Sequence, residues 1–298
     1  MRGLFCGFAL AILGGALTAS ARGEFVFSTG DPDGRMAAAS RPGGPGMLEI
    51  ETGDDFILDD RTRITSASFT GLLSPAVDLS QIGNVVVEIY RIFPLDSAVP
   101  PSGNVPSRVN SPSDVAFAVR EAAASTLSFS TTLVNNTFAA NNSVLNGINK
   151  LPNETTGGDG PITGREVRFD VSMMDPLDLE AGHYFFVPQV QIAGGVGNFY
   201  WLSAPRPIVF PGTPISPDLQ AWIRNANLSP DWLRIGTDIV GGTSPPTFNM
   251  AFSLAGQVVP EPSSVIMMGI AGIAIAGFAV HRHKPGRRGA TCGESRER

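Results

Sequence analysis

The sequence predicts an all-β fold for the long middle region of the chain, an antiparallel β-sandwich or jelly roll with one or two short helices. Three observations support this prediction. Apolar and polar residues alternate with period two, turns rich in Gly, Pro and Asn separate about ten such segments, and strand-like segments do not alternate with helical ones. The region, residues 22–259, is long enough to bury a substantial core.

Three longer segments have the alternation of half-buried antiparallel strands. In Arg165–Met173 the apolar residues lie on one face and the charged and polar residues on the other. Leu127–Val134 and Phe248–Val258 alternate in the same way. Shorter strands are predicted at Glu24–Ser28, Met47–Glu51, Phe56–Leu58, Ile64–Leu72 and Phe199–Ser203.

Two further segments, Val85–Phe93 and Tyr184–Ile192, are apolar on both faces and are predicted to be central strands. Pro188 indicates a bulge or an edge within the second, because proline cannot donate a hydrogen bond to a ladder.

Helices are predicted in few places. Ser216 and Pro217 suit an N-cap and a first helical position, and Leu219, Trp222 and Ile223 follow at helical spacing. Residues 229–233 repeat the same Ser-Pro start and predict a second short turn. Residues 113–123 fit a helix or a strand equally well.

The N-terminal segment has the three parts of a secretory signal peptide. Arg2 supplies the positive start, Leu4–Leu17 is apolar, and Ala19 and Ala21 frame a small-x-small cleavage site. The sequence therefore predicts a signal peptide over residues 1–21 and export of the chain from residue 22 onward. A first transmembrane helix is the weaker interpretation, because the apolar run is short and contains three glycines.

A second apolar segment lies near the C-terminus. Residues 263–280 contain no charge and would span about 27 Å as a helix, close to the thickness of a hydrocarbon core. Four basic residues come directly after it: Arg282, Lys284, Arg287 and Arg288. Basic residues flanking a span stay cytoplasmic, so we expect a transmembrane helix at 263–280, a cytoplasmic tail at 289–298 and an outward-facing middle region.

The tripeptide Pro260-Glu261-Pro262, the apolar span and the basic end together resemble the PEP-CTERM sorting signal of exported bacterial proteins, here over residues 260–288. The resemblance implies that the export machinery and a membrane enzyme, the exosortase, handle the chain. It also implies that the C-terminal helix holds the protein in the inner membrane at least transiently, before it reaches the cell surface or the medium. It implies a destination and no activity.

Part of the middle region resembles the opening of the ectodomains of other PEP-CTERM proteins. The segments that carry this looser resemblance are FVFSTGDPDGRMAAASRP (25–42), ETGDDFIL (51–58) and SASFTGLL (66–73). It brings no assigned activity with it.

Charge and cysteine content restrict the partners and the source of stability. Residues 22–259 hold 14 basic and 24 acidic residues, a net charge of −10, which argues against nucleic acid as a partner. Cys6 and Cys292 both lie outside this region, so the exported region has no disulfide and must depend on its core.

Residues able to support catalysis are scarce between the two apolar ends. His183 is the only histidine there, so Ser-His-Asp, Cys-His and zinc chemistry lack their usual residues, and we interpret His183 as a strand-start residue. Carboxylates are grouped at Glu49, Glu51, Asp54–Asp55 and Asp59–Asp60. We interpret the last two pairs as solvated strand ends; the alternative is the acid pair of a glycosidase.

Two further sets of residues are candidate binding sites. Asp31 and Asp33 in Asp-Pro-Asp-Gly suit either a plain turn or a calcium loop. Trp201, Trp222 and Trp232 are candidate stacking surfaces for a glycan, although their spacing favours core packing.

These features together predict an exported surface or extracellular-matrix protein with a structural or adhesive role, no catalysis and no required cofactor. A carbohydrate-binding module for exopolysaccharide is the alternative, and a carboxylate-dependent glycosidase is a weaker one.

Overall fold

The structure, a computed structural model, describes residues 23–149, 151, 154–195 and 197–260. About half of these residues lie in strands and few lie in helices, which confirms the all-β prediction. The predicted signal peptide and the predicted membrane helix lie outside the described residues. Among the described residues, no helix has the length and hydropathy that a membrane crossing requires.

Fifteen strands occur in the described part of the chain, and three short helical turns join them. The strands are β1 (Glu24–Ser28), β2 (Met36–Ala39), β3 (Ile50–Leu58), β4 (Thr62–Leu73), β5 (Ile82–Arg91), β6 (Ala118–Glu121), β7 (Leu127–Ala140), β8 (Asn142–Val144), β9 (Ile162–Leu179), β10 (Gly182–Ile192), β11 (Phe199–Ala204), β12 (Trp222–Asn225), β13 (Leu233–Arg234), β14 (Asn249–Met250) and β15 (Phe252–Val258). The helical turns are Leu79–Gln81, Ala193–Gly195 and Ile235–Val240.

The strands form a nine-stranded and a six-stranded sheet. In the larger sheet the order is β1-β15-β4-β11-β2-β8; β9 and then β7 extend from β4, and β14 lies beside β11. The smaller sheet has the order β13-β12-β3-β10-β5-β6. Every pairing between these strands is antiparallel except β2 with β8.

Aromatic side chains from both sheets form the core between them. Phe186 of the smaller sheet stacks on Phe252 with ring centroids 5.1 Å apart and meets Trp201 edge-on at 5.9 Å. Phe69 and Phe169 stack at 4.9 Å within the larger sheet. Each of these rings is at most 3% exposed, and burying one contributes about 1.5–3 kcal/mol.

The strands predicted from alternation are present, and most are longer than predicted. Two predicted short strands, Met47–Glu51 and Phe56–Leu58, belong to the single strand β3. The residues between them, Thr52 to Asp55, are buried, because β12 pairs with the first half of β3 and β10 with the second half.

At Pro188 the central strand β10 still pairs with β5 on one side but no longer pairs with β3 on the other. The pairing of β10 with β3 ends at Phe186, and the carbonyl of Pro188 accepts a hydrogen bond from Ser40 Oγ at 2.5 Å. Val190 N donates to the Ser40 carbonyl on the same side at 3.2 Å, so this side is not a free edge. The register shift of β10 lies between Gln191 and Ile192, so the bulge lies farther along than Pro188.

The helix predicted from Ser216 to Ile223 is wrong. Trp222–Asn225 is strand β12, which pairs with β3, and Trp222 and Ile223 contribute to two different apolar clusters. The predicted turn at 229–233 is followed at once by strand β13, and the ambiguous segment 113–123 contains strand β6. Pairing with an available sheet edge satisfies more backbone groups than an isolated helical turn.

Candidate functional site

The carboxylates predicted at the ends of a short strand lie inside the fold. Asp54 and Asp55 are 1% and 2% exposed, so the prediction of solvated strand ends is wrong for this pair. It is right for Asp59 and Asp60, which are exposed beyond the end of β3. The two pairs differ because Asp54 and Asp55, which were predicted to lie between two short strands, lie in the middle of the single strand β3.

Asp54 joins β3 to β14, and Asp55 joins β3 to the segment before β12. Oδ2 of Asp54 accepts a hydrogen bond from Met250 N at 2.7 Å, and Oδ2 of Asp55 accepts one from Leu219 N at 3.2 Å. Burial raises the pKa of both carboxyls; the charge of Asp55 adds to the effect at Asp54, and the His183 bond opposes it at Asp55. Both side chains therefore act as internal structural groups.

His183 lies at the start of β10, as predicted. Its Nε2 is 2.5 Å from Asp55 Oδ2, and its ring stacks beside Phe185. In the described part of the chain no hydrogen bond joins it to a hydroxyl, which is the contact that a Ser-His-Asp site uses.

A second polar cluster lies on the outer face of the six-stranded sheet. Glu51 Oε1 accepts hydrogen bonds from Tyr90 Oη at 2.6 Å and Arg224 Nη2 at 3.0 Å, and Arg224 Nε bonds Glu51 Oε2. The guanidinium of Arg224 lies 4.4 Å from the ring centroid of Trp232. Burial, with the charge of Glu51, raises the pKa of Glu88 to about 8, and Glu88 Oε2 lies 3.1 Å from Tyr90 Oη.

A buried ion cluster holds the segment between β5 and β6 against this outer face. Arg108 bonds Asp231 at 3.0 Å and Asp114 at 2.7 Å, and the three side chains are at most 4% exposed. Trp232 Nε1 donates to the carbonyl of Ser113 at 3.0 Å, which adds a neutral contact to the same segment. Sequence reasoning missed this cluster, because its residues are far apart in the chain and carry no motif.

The three tryptophans do not form a surface. Trp201, Trp222 and Trp232 are 0%, 2% and 0% exposed. Trp201 Nε1 donates to the Ala251 carbonyl at 2.9 Å within the core. Core packing is confirmed, and the prediction that these rings stack on a glycan is wrong, because no ring face reaches the solvent.

Asp31 and Asp33 lie in a turn between β1 and β2. Asp33 Oδ1 accepts hydrogen bonds from Arg35 N at 3.0 Å and from Ser203 Oγ, while Oδ2 is buried without a hydrogen bond in the described structure. Among the described residues no group of three or more His, Cys, Asp or Glu side chains could hold a metal ion. The turn is confirmed, and calcium binding stays a prediction.

Two of the surface grooves among the described residues have a distinct chemical character. A groove of about 400 Å³ beside β1 is lined in part by Glu24, Asp59 and Asp60. The outer face of the larger sheet carries cross-strand rows of small hydroxyl side chains around a shallow groove of about 430 Å³. Its rows include Ser253, Ser68, Asp170 and Ser130, and then Ala255, Ser66, Ser172 and Ser128.

The predicted sorting signal begins where the sandwich ends. Strand β15 ends at Val258, and Pro260 is exposed and is the last described residue. The chain divides into two units between Val259 and Pro260. The other predicted residues of this signal, Glu261, Pro262, Arg282, Lys284, Arg287 and Arg288, and the cleavage-site residues Ala19 and Ala21, lie outside the described residues.

Comparison with known families identifies this segment. Residues 258–282 match the family model of the PEP-CTERM protein-sorting motif, which confirms the resemblance seen in the sequence. Neither the curated proteins nor the solved structures yielded a match to the chain. The motif points to an exported protein that is transiently anchored at the membrane and processed by an exosortase.

Proposed function

We propose that this chain is an exported structural or adhesive protein of the cell surface or extracellular matrix, and that it acts without catalysis. The match of residues 258–282 to the sorting motif carries the proposal. Because the motif directly follows the last strand, sorting delivers the two-sheet unit outside the cell as the functional part.

The polar groups of the interior support a structural role. Glu51, Tyr90 and Arg224 bond mainly to one another and are largely buried, and Arg108 with its two aspartates is nearly inaccessible. Such groups position backbone segments and offer little to a substrate. The broad hydroxyl-rich face and the acidic groove are surfaces suited to contact with other molecules.

The two alternatives predicted from the sequence lose their first arguments. The tryptophans assigned to exopolysaccharide binding are buried, and so is one of the two aspartate pairs assigned to a glycosidase, Asp54–Asp55. The non-catalytic proposal is therefore the simplest of the three, because it requires neither an exposed tryptophan nor an accessible pair of acids.

The sorting step is tested by the intact mass and the fractionation of the protein from its native host. We expect a mature chain that starts near Arg22, ends near residues 260–262 and accumulates outside the cell. Replacement of Pro260, Glu261 and Pro262 by alanine should retain the full C-terminal segment in the membrane fraction, because the exosortase then lacks its recognition tripeptide.

A matched control replaces the exposed residues Pro100 and Pro101 by alanine, which should leave sorting unchanged. Wild-type protein that keeps Arg298 and stays in the membrane would contradict processing. In that case the chain would be a plain single-span anchored protein.

A further inference from the structure

The outer edge of strand β7 is an unpaired strand edge in the described structure. β7 is 14 residues long and pairs with β9 alone. Alternate residues of an antiparallel strand direct their N–H and C=O groups away from the partner. From Ser128 to Val134, no backbone hydrogen bond outside the β7–β9 ladder is present among the described residues.

This edge has none of the charges that usually prevent edge-to-edge pairing. Residues 122–149 contain no charged residue and no proline, within a region of net charge −10. Three of the other edge strands in the described structure are protected in the usual way, by charge, whereas the short edge strand β8 carries none. β1 carries Glu24, β6 carries Arg120 and Glu121, and β13 carries Arg234.

The regular part of the edge is short and well defined. Leu127 to Leu133 pair with Met173 to Val167 in uninterrupted register, and register shifts follow on either side of Asn135. Bulges twist an edge and interrupt pairing. A partner strand can therefore align with residues 127–133, and the shifts around Asn135 stop it from extending further.

We propose that two copies of this protein associate through antiparallel pairing of β7 with β7, over residues 127–133 and centred on Ser130. In this register Ser130 faces Ser130 of the second copy, and Leu133, which is 38% exposed, faces Leu127 of the second copy. The even-numbered residues extend the hydroxyl rows of the outer face from one copy into the next.

Charge and chain direction favour a second copy over other occupants. Two copies of an acidic domain repel each other on most of their surface, whereas this edge brings neutral residues against neutral residues. The chain's undescribed terminal segments leave the described part at Gly23 and Pro260, next to β1 and β15. In the strand order β1-β15-β4-β9-β7 these strands are on the other side of the sheet from β7.

The test is the oligomeric state of the protein purified from its host, in mild detergent if it retains its apolar segment. Light scattering with size exclusion should give a dimer. Ser130→Lys should give a monomer with unchanged circular dichroism, because two lysines would then meet at the centre of the pairing. Val26→Lys, on the exposed edge strand β1, is the matched control and should leave the dimer intact.

A cysteine variant tests the register. Ser130→Cys should form an intermolecular disulfide on mild oxidation, because directly opposed residues in an antiparallel pair lie within disulfide distance. Val26→Cys should not form one beyond the level that the native cysteines give. A monomer at every accessible concentration overturns the proposal, and so does a dimer that Ser130→Lys leaves unchanged.

This pairing rests on the proposed structural role and identifies its partner as a second copy of the protein. Its test does not depend on sorting. Failure of processing in the host would leave the dimer measurement valid. Conversely, a monomeric protein that is still processed and released would overturn only the pairing.

Discussion

At the scale of single residues, Asp54 and Glu51 make contacts on opposite faces of strand β3. Asp54 accepts a hydrogen bond from Met250 of the larger sheet, whereas Glu51 belongs to the polar cluster on the outer face. Successive side chains in a strand point to opposite faces, so a carboxylate at each parity ties β3 to a different neighbour. Burial raises the pKa of the Asp54 carboxyl, because an acid that is buried holds its proton to higher pH.

Glu88 is the acid for which the effect of a raised pKa on folding stability can be measured. Its pKa rises from an ordinary value of 4.5 to about 8, through burial first and then the charge of Glu51. The folded form keeps this proton while the unfolded chain has lost it, so the contribution of Glu88 to stability is fully present below pH 4.5 and falls until about pH 8. Tyr90, Arg224 and Glu49 are the other ionisable groups in this cluster.

We therefore predict that Glu88→Gln becomes more stable relative to the wild type as the pH rises from 5 towards 9, by a few kcal/mol at most. The measurement is the free energy of unfolding of residues 23–259 in denaturant at several pH values. This segment carries every described strand and the core. Glu24→Gln, at an exposed position, is the control and should show no such trend. A Glu88→Gln difference that is constant with pH would contradict the protonated carboxyl.

At the scale of strands, the alternation of apolar and polar residues correctly predicted which faces of the long strands are buried. Phe169 and Phe252 lie on the buried faces of segments that alternate cleanly, and both are in the core. Trp222 and Ile223 also belong to a strand, but the preceding Ser-Pro pair and the short length gave a helical pattern instead. Four residues are too few to distinguish periods of two and 3.6, so the pairing with β3 decided the outcome.

The polar clusters could be predicted even less from the sequence. Arg108, Asp114 and Asp231 come together because the long connection between β5 and β6 meets the short turn before β13 on the same outer face, and local sequence carries no signal for such a meeting. The position of Asp54–Asp55 inside β3 could have been inferred only from knowledge of its two partner strands. The sorting motif was predictable because it is a linear signal that depends on no tertiary contact.

Strand β4 requires a glycine at the point where its partner on one side changes from β15 to β11. One side of β4 pairs with β15 up to Phe69 and with β11 from Gly71 onward. A Cβ at Gly71 would lie 2.2 Å from Phe199 Cε2 and 2.5 Å from the Tyr200 carbonyl. The change of partner therefore requires a residue without a side chain here.

We predict that Gly71→Ala lowers the free energy of unfolding by about 1–3 kcal/mol, the usual cost of overpacking. Gly83→Ala is the matched control in another strand: its Cβ would meet neighbours at 3.7 Å or more, so it should be close to neutral. Chemical denaturation of both variants of residues 23–259 provides the comparison. Equal stability of the two variants would mean that Phe199 moves aside without cost.

At the scale of the whole molecule, the two sheets differ in what covers their outer faces. The larger sheet exposes its hydroxyl rows, whereas the smaller sheet is partly covered by the segment between β5 and β6 and the turn before β13. This cover buries Tyr90, Trp222 and Trp232 in an apolar cluster separate from the main core. The cover has little regular structure, so side chains add to the few backbone hydrogen bonds that attach it, such as the one from Ser113 N to the Arg91 carbonyl at 2.9 Å.

Arg108 is the main attachment, and we predict that Arg108→Leu lowers the free energy of unfolding by about 3–5 kcal/mol. Leucine replaces part of the packing but leaves Asp114 and Asp231, which are 4% and 0% exposed, without their cation. Detachment should also expose Trp232, so tryptophan emission at native conditions should shift to longer wavelength. Arg168→Leu, which removes an exposed ion pair with Asp170, is the control and should alter neither reading appreciably. If Arg108→Leu behaves like this control, the cover is held by Trp232 and its apolar contacts instead, and the ion cluster adds little to its attachment.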